Sequence, residues 1–373
     1  MLSSTSSSDA RLPHGPWLKV LFGGLLVAAG FAGVLELRLA ARHYQPAVAD
    51  SEDLWASERH RAAELGDRAL ILVGASRIQL DTDLDVLRRK TGLEPVQLAI
   101  DGNSFVPVLQ SLADDARVTG TVIVDFAPRA VGEWERSDAA SQYAGDYERQ
   151  RHRFRINAEA SEEVLTRWRS QLLRSYADGA TPLSSLRKRV LSPQPVPQYL
   201  LMRPDRSRLA DYRRVPMPDF YYGRVLLALG RPPELEPGST VAQVESNLHA
   251  TIAALPTADV DPFRRRLADL DGLVAAIQAR GGRVIVVAFP VSGFIRDIDE
   301  RHYPRARFWD AFARNTQSRT LHFEDDPRLR GFVCPDGSHL DFRDRAAFTS
   351  ALVDALGLAG TAPDAAAVSA AAR

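Results

Sequence analysis

Short, unbroken apolar runs, each followed by a turn and a helix-spaced segment, constrain this chain more than any other feature of its sequence. Ala69-Leu70-Ile71-Leu72-Val73 contains no polar residue, so neither face of it can be given to water. Such a run fits a strand covered on both sides in a parallel sheet. The pattern then repeats. Asp83–Lys90 carries Leu84, Val86 and Leu87 at helical spacing and stops at Gly92. Pro95–Ile100 reads as a second strand, Phe105–Ala116 as a second helix and Thr121–Phe126 as a third strand. After residue 261 come a helix over Pro262–Arg280, the Gly281-Gly282 stop and the strand Arg283–Phe289. A helical stretch through Phe308-Trp309-Asp310, the strand Thr320–Phe323 and a closing helix over Arg343–Leu356 complete the series. Five strands separated by helices predict an α/β fold, a doubly wound five-stranded parallel sheet with right-handed crossovers. In such sheets, sites form beyond the carboxyl ends of the strands.

Two regions depart from this rhythm. Residues 131–261 form a large insertion, expected to be mostly helical. It holds a basic stretch (Tyr147–Arg155), an amphipathic helix over Ser161–Tyr176, a Pro-rich passage over Ser192–Pro218 and a helix over Val241–Leu255. The alternation Arg149-Arg151-Arg153-Arg155 reads as a solvated basic face. At the other end, a Ser- and Pro-containing tail (1–16) precedes Val20–Leu35, which has no charge. A bilayer crossing needs roughly 20 apolar residues. Residues 17–37 reach that length if Lys19 extends to the headgroups, and they are expected to be a transmembrane anchor. An uncleaved anchor is favoured over a removed leader because Leu39-Ala40-Ala41 is a poor cleavage site. Residues 38–66 are polar and helix-prone, which predicts a juxtamembrane stalk. The α/β domain then occupies 67–358, and an Ala-rich tail, 359–373, is expected to be disordered.

Charge excludes one class of function. Among 373 residues, 47 Lys and Arg balance 47 Asp and Glu, so no net field draws nucleic acid, and no nucleic-acid partner is expected. The single cysteine, Cys334, rules out an internal disulfide. There is no Cys/His cluster at ligand spacing and no glycine-rich phosphate loop after a strand, so neither a metal nor a cofactor is expected.

Two fragments carry chemistry. Ser76 follows the first strand, and Asp336 and His339 follow the fifth, in Asp336-Gly337-Ser338-His339-Leu340. A serine hydroxyl is a weak nucleophile until an imidazole accepts its proton and a carboxylate holds that imidazole in the right tautomer. Both fragments fall on the sheet edge where the fold class expects a site. Here the chain resembles the SGNH (GDSL-like) hydrolase superfamily, over about residues 68–358 apart from the insertion. The match rests on Gly74-Ala75-Ser76-Arg77, on Asp101-Gly102-Asn103 and on the Asp-x-x-His of Asp336 and His339. The resemblance implies a flavodoxin-like sheet, Ser76 as nucleophile, His339 as general base and Asp336 as its partner. It also implies Gly102 as an oxyanion donor. Asn103 offers an amide beside it, and Arg77 a cation for an anionic substrate group. The family's third block usually supplies an Asn; this chain reads Val124-Asp125-Phe126-Ala127-Pro128 there. Anchored envelope members imply a serine esterase or O-acyltransferase acting on acyl, chiefly acetyl, esters of an envelope polysaccharide. They place the anchor in a bacterial inner membrane as a single pass and the C-terminal domain in the periplasm. Polysaccharide assembly proteins are then candidate partners. The missing third-block Asn supports an alternative, a non-catalytic envelope protein that keeps the fold to bind glycan or a partner.

Overall fold

The computed structural model describes residues 16–150 and 168–360. Its strands are β1 (Ala69–Val73), β2 (Glu94–Gln97), β3 (Thr121–Asp125), β4 (Leu200–Met202), β5 (Arg208–Ala210), β6 (Arg283–Ala288) and β7 (Arg319–His322). Five of them form one sheet in the order β2-β1-β3-β6-β7, and every neighbouring pair is parallel. The expected α/β class and five-stranded parallel sheet are therefore present. Successive β1 side chains serve opposite faces, as the pleat demands. Ala69, Ile71 and Val73 join one core with Trp55, Val96 and Val122, whereas Leu70 and Leu72 join a second with Ile123 and Phe348. Each fully buried Leu, Ile or Val contributes roughly 1.5–3 kcal/mol relative to exposure. A strand with no polar position is stable only with both cores in place.

Helices supply the two covers. On one face lie α2 (Glu52–Leu65), α5 (Val106–Ala113) and the helices Ala139–Gln150 and Val260–Gln278. On the other lie α4 (Leu84–Thr91) and the closing helix Arg345–Ala355. Local chemistry sets the ends of α4: Asp83 Oδ1 accepts the Asp85 and Val86 N–H groups, and Gly92 closes the helix at φ +73°.

Two expectations need correction. Residues 38–66 are not a stalk, because α2 is part of the core. Its Trp55, Ala56 and Ala62 pack into the first core, the Trp55 indole donates to the Leu98 carbonyl at 2.9 Å, and Arg59 is fully buried. Charged residues elsewhere on α2 hid that inner face. The insertion is likewise less helical than expected and less separate. β4 and β5 form an antiparallel ribbon within it, and Tyr147 packs into the main core. The helix expected over Ser161–Tyr176 is helical at 168–172 and a 3₁₀ turn over Arg174–Gly179; its first seven positions, and Arg151, Arg153 and Arg155, lie outside the described residues. So do residues 1–15 and 361–373 of the two expected tails.

Among the described residues one helix, α1 (Trp17–Ala41), is long and apolar enough to cross a membrane, with a mean hydropathy of 2.1 over 18 of its residues. It runs directly into the domain. Leu35 and Leu39 pack with Leu186 and Val190, and Glu36 accepts the backbone N–H groups of Arg174 (2.9 Å) and Ser175 (2.8 Å).

Candidate active site

The chain leaves β1 at Val73 and turns at once into α3 (Ser76–Asp81), which puts Ser76 at a helix start on the carboxyl edge of the sheet. The turn is tight. A Cβ on Gly74 would stand 2.6 Å from the Asp125 Cβ and 2.8 Å from Ile78, so only glycine lets β1 and β3 approach this closely. β1 and β3 flank the point where strand order reverses, the place at which open α/β sheets form their crevices.

His339 arrives from the opposite end of the sequence, in the loop after β7. That loop is pinned at several atoms. Asp336 Oδ1 accepts the N–H groups of Ser338 (2.9 Å) and His339 (2.8 Å), and the Gly337 carbonyl accepts the Ser292 N–H at 2.9 Å. Gly337 sits at φ +84°, where a Cβ would meet Ile295 at 2.4 Å. Leu340 N–H donates to Asp81 Oδ1 at 2.8 Å, so α3 holds the serine at its first residue and the histidine loop at its last.

These constraints bring three expected residues together. His339 Nε2 lies 2.8 Å from Ser76 Oγ, and His339 Nδ1 lies 2.8 Å from Asp336 Oδ2. Burial would raise Asp336, but hydrogen bonds and charge from His339, the Ser338 N–H and the Arg224 guanidinium prevail and hold it at about 2. Asp336 is thus an ionised acceptor at neutral pH, which makes Nδ1 the protonated nitrogen. In the neutral ring Nε2 then accepts the Ser76 hydroxyl hydrogen. Asp336 and His339 are almost wholly buried, whereas Ser76 is half-buried. The serine is thus the most accessible of the three, and the imidazole is shielded from solvent.

Backbone N–H groups lie beside the serine. The β2 ladder continues past its last residue through Ile100 N–H to the Gly74 carbonyl at 3.1 Å, delivering the Asp101-Gly102-Asn103 turn beside the serine turn. Gly102 occupies φ +69° and is exposed. Among the described residues, neither its N–H nor that of Ser76 has a hydrogen-bond partner.

Two site residues are engaged by the fold. The Asn103 Nδ2 donates to the Asp101 carbonyl at 2.7 Å and its Oδ1 accepts the Ala140 N–H at 3.2 Å, so the amide closes its own turn and ties it to the helix Ala139–Gln150, with one Nδ2 hydrogen left over. Arg77 is not an open anion site. Its Nη2 pairs with Asp299 at 2.9 Å and its Nε donates to Ser338 Oγ at 3.2 Å, a brace between α3 and the histidine loop. Asp101 pairs instead with Arg208.

Sequence reasoning missed several residues. Tyr212 and Arg224 belong to the insertion, yet both face Asp336; the Arg224 Nε lies 3.6 Å from Oδ2, while burial and the adjoining carboxylate raise Tyr212 and keep it protonated. No spacing in the sequence links either one to residue 336. Asp125 had a signal, a carboxylate closing an apolar strand. It faces the N–H groups of Ile78 and Ala75 at the start of α3 and helps fix the serine turn.

The chain matches no known family model, and no curated protein or solved structure is significantly similar to it. The chemical reading of this site therefore rests on its own geometry. Two cavities flank the triad, and neither is lined by Ser76 or His339. One of about 710 Å³ reaches the Gly102 turn through Asp101 and Asn103 and is lined also by Tyr44, Tyr143 and Tyr199. The other, about 580 Å³, is lined by Arg77 and Asp299 among others.

Asp125 gives the site a pH-dependent element. Burial raises its carboxyl to about 6, against the opposing pull of Arg77 and the two N–H groups. Its unfolded value is about 3.9. A folded value above the unfolded one gives stability that is complete below pH ~3.9 and is lost as pH rises through about 6. Asp125→Asn removes the titration and keeps the shape. The fall in urea midpoint between about pH 4 and pH 6.5 is expected to become shallower in this variant. An unchanged slope would contradict that assignment.

Proposed function

We propose that this chain is a membrane-anchored serine hydrolase or O-acyltransferase of the SGNH type, acting on acyl esters, chiefly acetyl esters of an envelope polysaccharide, on the periplasmic side of an inner membrane. The observation that carries the reading is the continuous relay from Ser76 through His339 to Asp336, with 2.8 Å at both contacts. Attack of Ser76 Oγ on the ester carbonyl forms the Oγ–C bond as the hydroxyl proton passes to His339 Nε2. The Ser76 and Gly102 N–H groups face the developing oxyanion. The C–O bond to the alcohol then breaks, the imidazolium returns its proton to that alcohol, and an acyl-serine remains. Water or a sugar hydroxyl, deprotonated by the same nitrogen, then attacks the acyl carbon; the Oγ–C bond breaks and the imidazolium returns the proton to Ser76 Oγ.

A second reading draws on the Asn103 amide. With one of its two hydrogens held by the Asp101 carbonyl and no Asn in the block 124–128, the site has fewer side-chain donors than the family pattern, which favours a glycan-binding protein on a hydrolase fold. One experiment separates the two. A fluorophosphonate probe added to the full-length protein in detergent micelles is expected to label the wild type and leave Ser76→Ala unlabelled. Equal labelling of both removes Ser76 from the mechanism. No labelling of the wild type, with retention on immobilised acylated glycan, supports the binding protein.

A further inference from the structure

The contact between α1 and the insertion leaves no spacer between bilayer and domain, and that fixes which surface meets the lipid. At 1.5 Å per residue, Trp17 to Leu37 spans about 30 Å, the thickness of a bilayer's hydrocarbon layer. The apolar part of α1 ends at this level, and here it already touches the domain through Leu35, Glu36 and Leu39. The partners of these residues stand at the same height.

Those partners lie among exposed apolar side chains. The segment 182–191 packs Leu186 and Val190 against α1 and leaves Leu183 and Leu191 73% and 68% exposed. Leu172, 52% exposed, stands two residues before Arg174, whose N–H meets Glu36. Val196, 70% exposed, has its carbonyl held by the Tyr44 hydroxyl at 2.7 Å. Single exposed leucines are ordinary. Four within a few residues of a membrane helix's exit, interspersed with the exposed cations Arg187 and Lys188, have the composition of an interfacial surface.

We propose that this face of the insertion lies in the headgroup–acyl boundary of the bilayer, with Leu172, Leu183, Leu191 and Val196 entering the acyl layer and Arg187 and Lys188 against anionic headgroups. The occupant is lipid, because the face is continuous with the membrane helix and combines apolar and cationic groups at one level. The inference rests on reading α1 as bilayer-embedded, and its test reports that reading separately.

The full-length protein is reconstituted into vesicles of phosphatidylcholine and phosphatidylglycerol, with an environment-sensitive dye at one introduced cysteine. The native Cys334 is buried, and the wild-type protein serves as blank. Leu183→Cys and Leu191→Cys report the face, Val27→Cys the anchor and Arg314→Cys the distant β7 edge. Blue-shifted emission quenched by doxyl-labelled lipid is expected at 183, 191 and 27, with water-like emission at 314. Water-like emission at 183 and 191 beside an apolar 27 overturns the inference and leaves the anchor standing. Water-like emission at 27 as well overturns both. An apolar but unquenched signal at 183 and 191 means that protein covers the face, which also overturns it.

Discussion

Ser76→Ala is expected to reduce p-nitrophenyl acetate hydrolysis by the full-length protein by roughly 10³-fold or more, about 4 kcal/mol of barrier. The hydroxyl that would form the acyl bond lies 2.8 Å from its base, and no other serine hydroxyl among the described residues is hydrogen-bonded to the His339 ring. His339→Ala is expected to fall to a similar rate. The double variant should fall no further, because a nucleophile and its base act as one unit and their losses do not add. Wild-type and Ser76→Ala rates that coincide would exclude the proposed chemistry. Additive losses would mean that the two residues act independently.

The largest effect on stability is expected from Asp115→Ala. Arg59 is fully buried beneath α5; its Nη1 and Nη2 each stand 3.3 Å from Asp115 Oδ2, and its Nε donates to Ser111 Oγ at 3.0 Å. Tyr147 places its ring 4.9 Å from the guanidinium carbon. Removing Asp115 leaves the buried guanidinium only the more distant carboxylate of Glu148, 4.0 Å from Nη2, and breaking a buried pair costs about 3–5 kcal/mol. Asp115 is itself held at about 2 against burial, chiefly by the Arg117 side chain, so at neutral pH it is present as the anion Arg59 requires. Replacing Arg59 with Met in the same chain removes the stranded charge. The double variant should therefore lose less than the sum of the single losses, as read from urea midpoints in detergent. A loss below about 1 kcal/mol for Asp115→Ala would show the pair to be dispensable.

Much of the sheet was legible because its signal is local. Continuous branched apolar runs have one stable environment, and β1, β3 and β6 appear within a residue or two of the expected positions. The meeting of Ser76, His339 and Asp336 was legible for a different reason, since two short fragments at strand ends must share an edge in this topology. What the sequence concealed depends on long-range partners. α2 looks like a solvated helix because its inner face uses alanines and a buried arginine, and the Asp115 that neutralises Arg59 lies 56 positions away. Asn103 and Arg77 have the residue types for a substrate role. Whether a side chain is free depends on neighbours such as Ala140 and Asp299, which adjacent sequence does not reveal. Arg224 and Tyr212 were hidden in the same way, because the insertion folds back onto Asp336.

The six-residue helix that begins with Ser76 and ends with Asp81 has a mechanical meaning. It works like a short rigid crank, with Ser76 at one end and, through Asp81 and the Leu340 N–H, the loop of His339 at the other. If the sheet edge breathes, the hydroxyl and the imidazole are carried along together, and the 2.8 Å between them is insulated from motion in the surrounding loops.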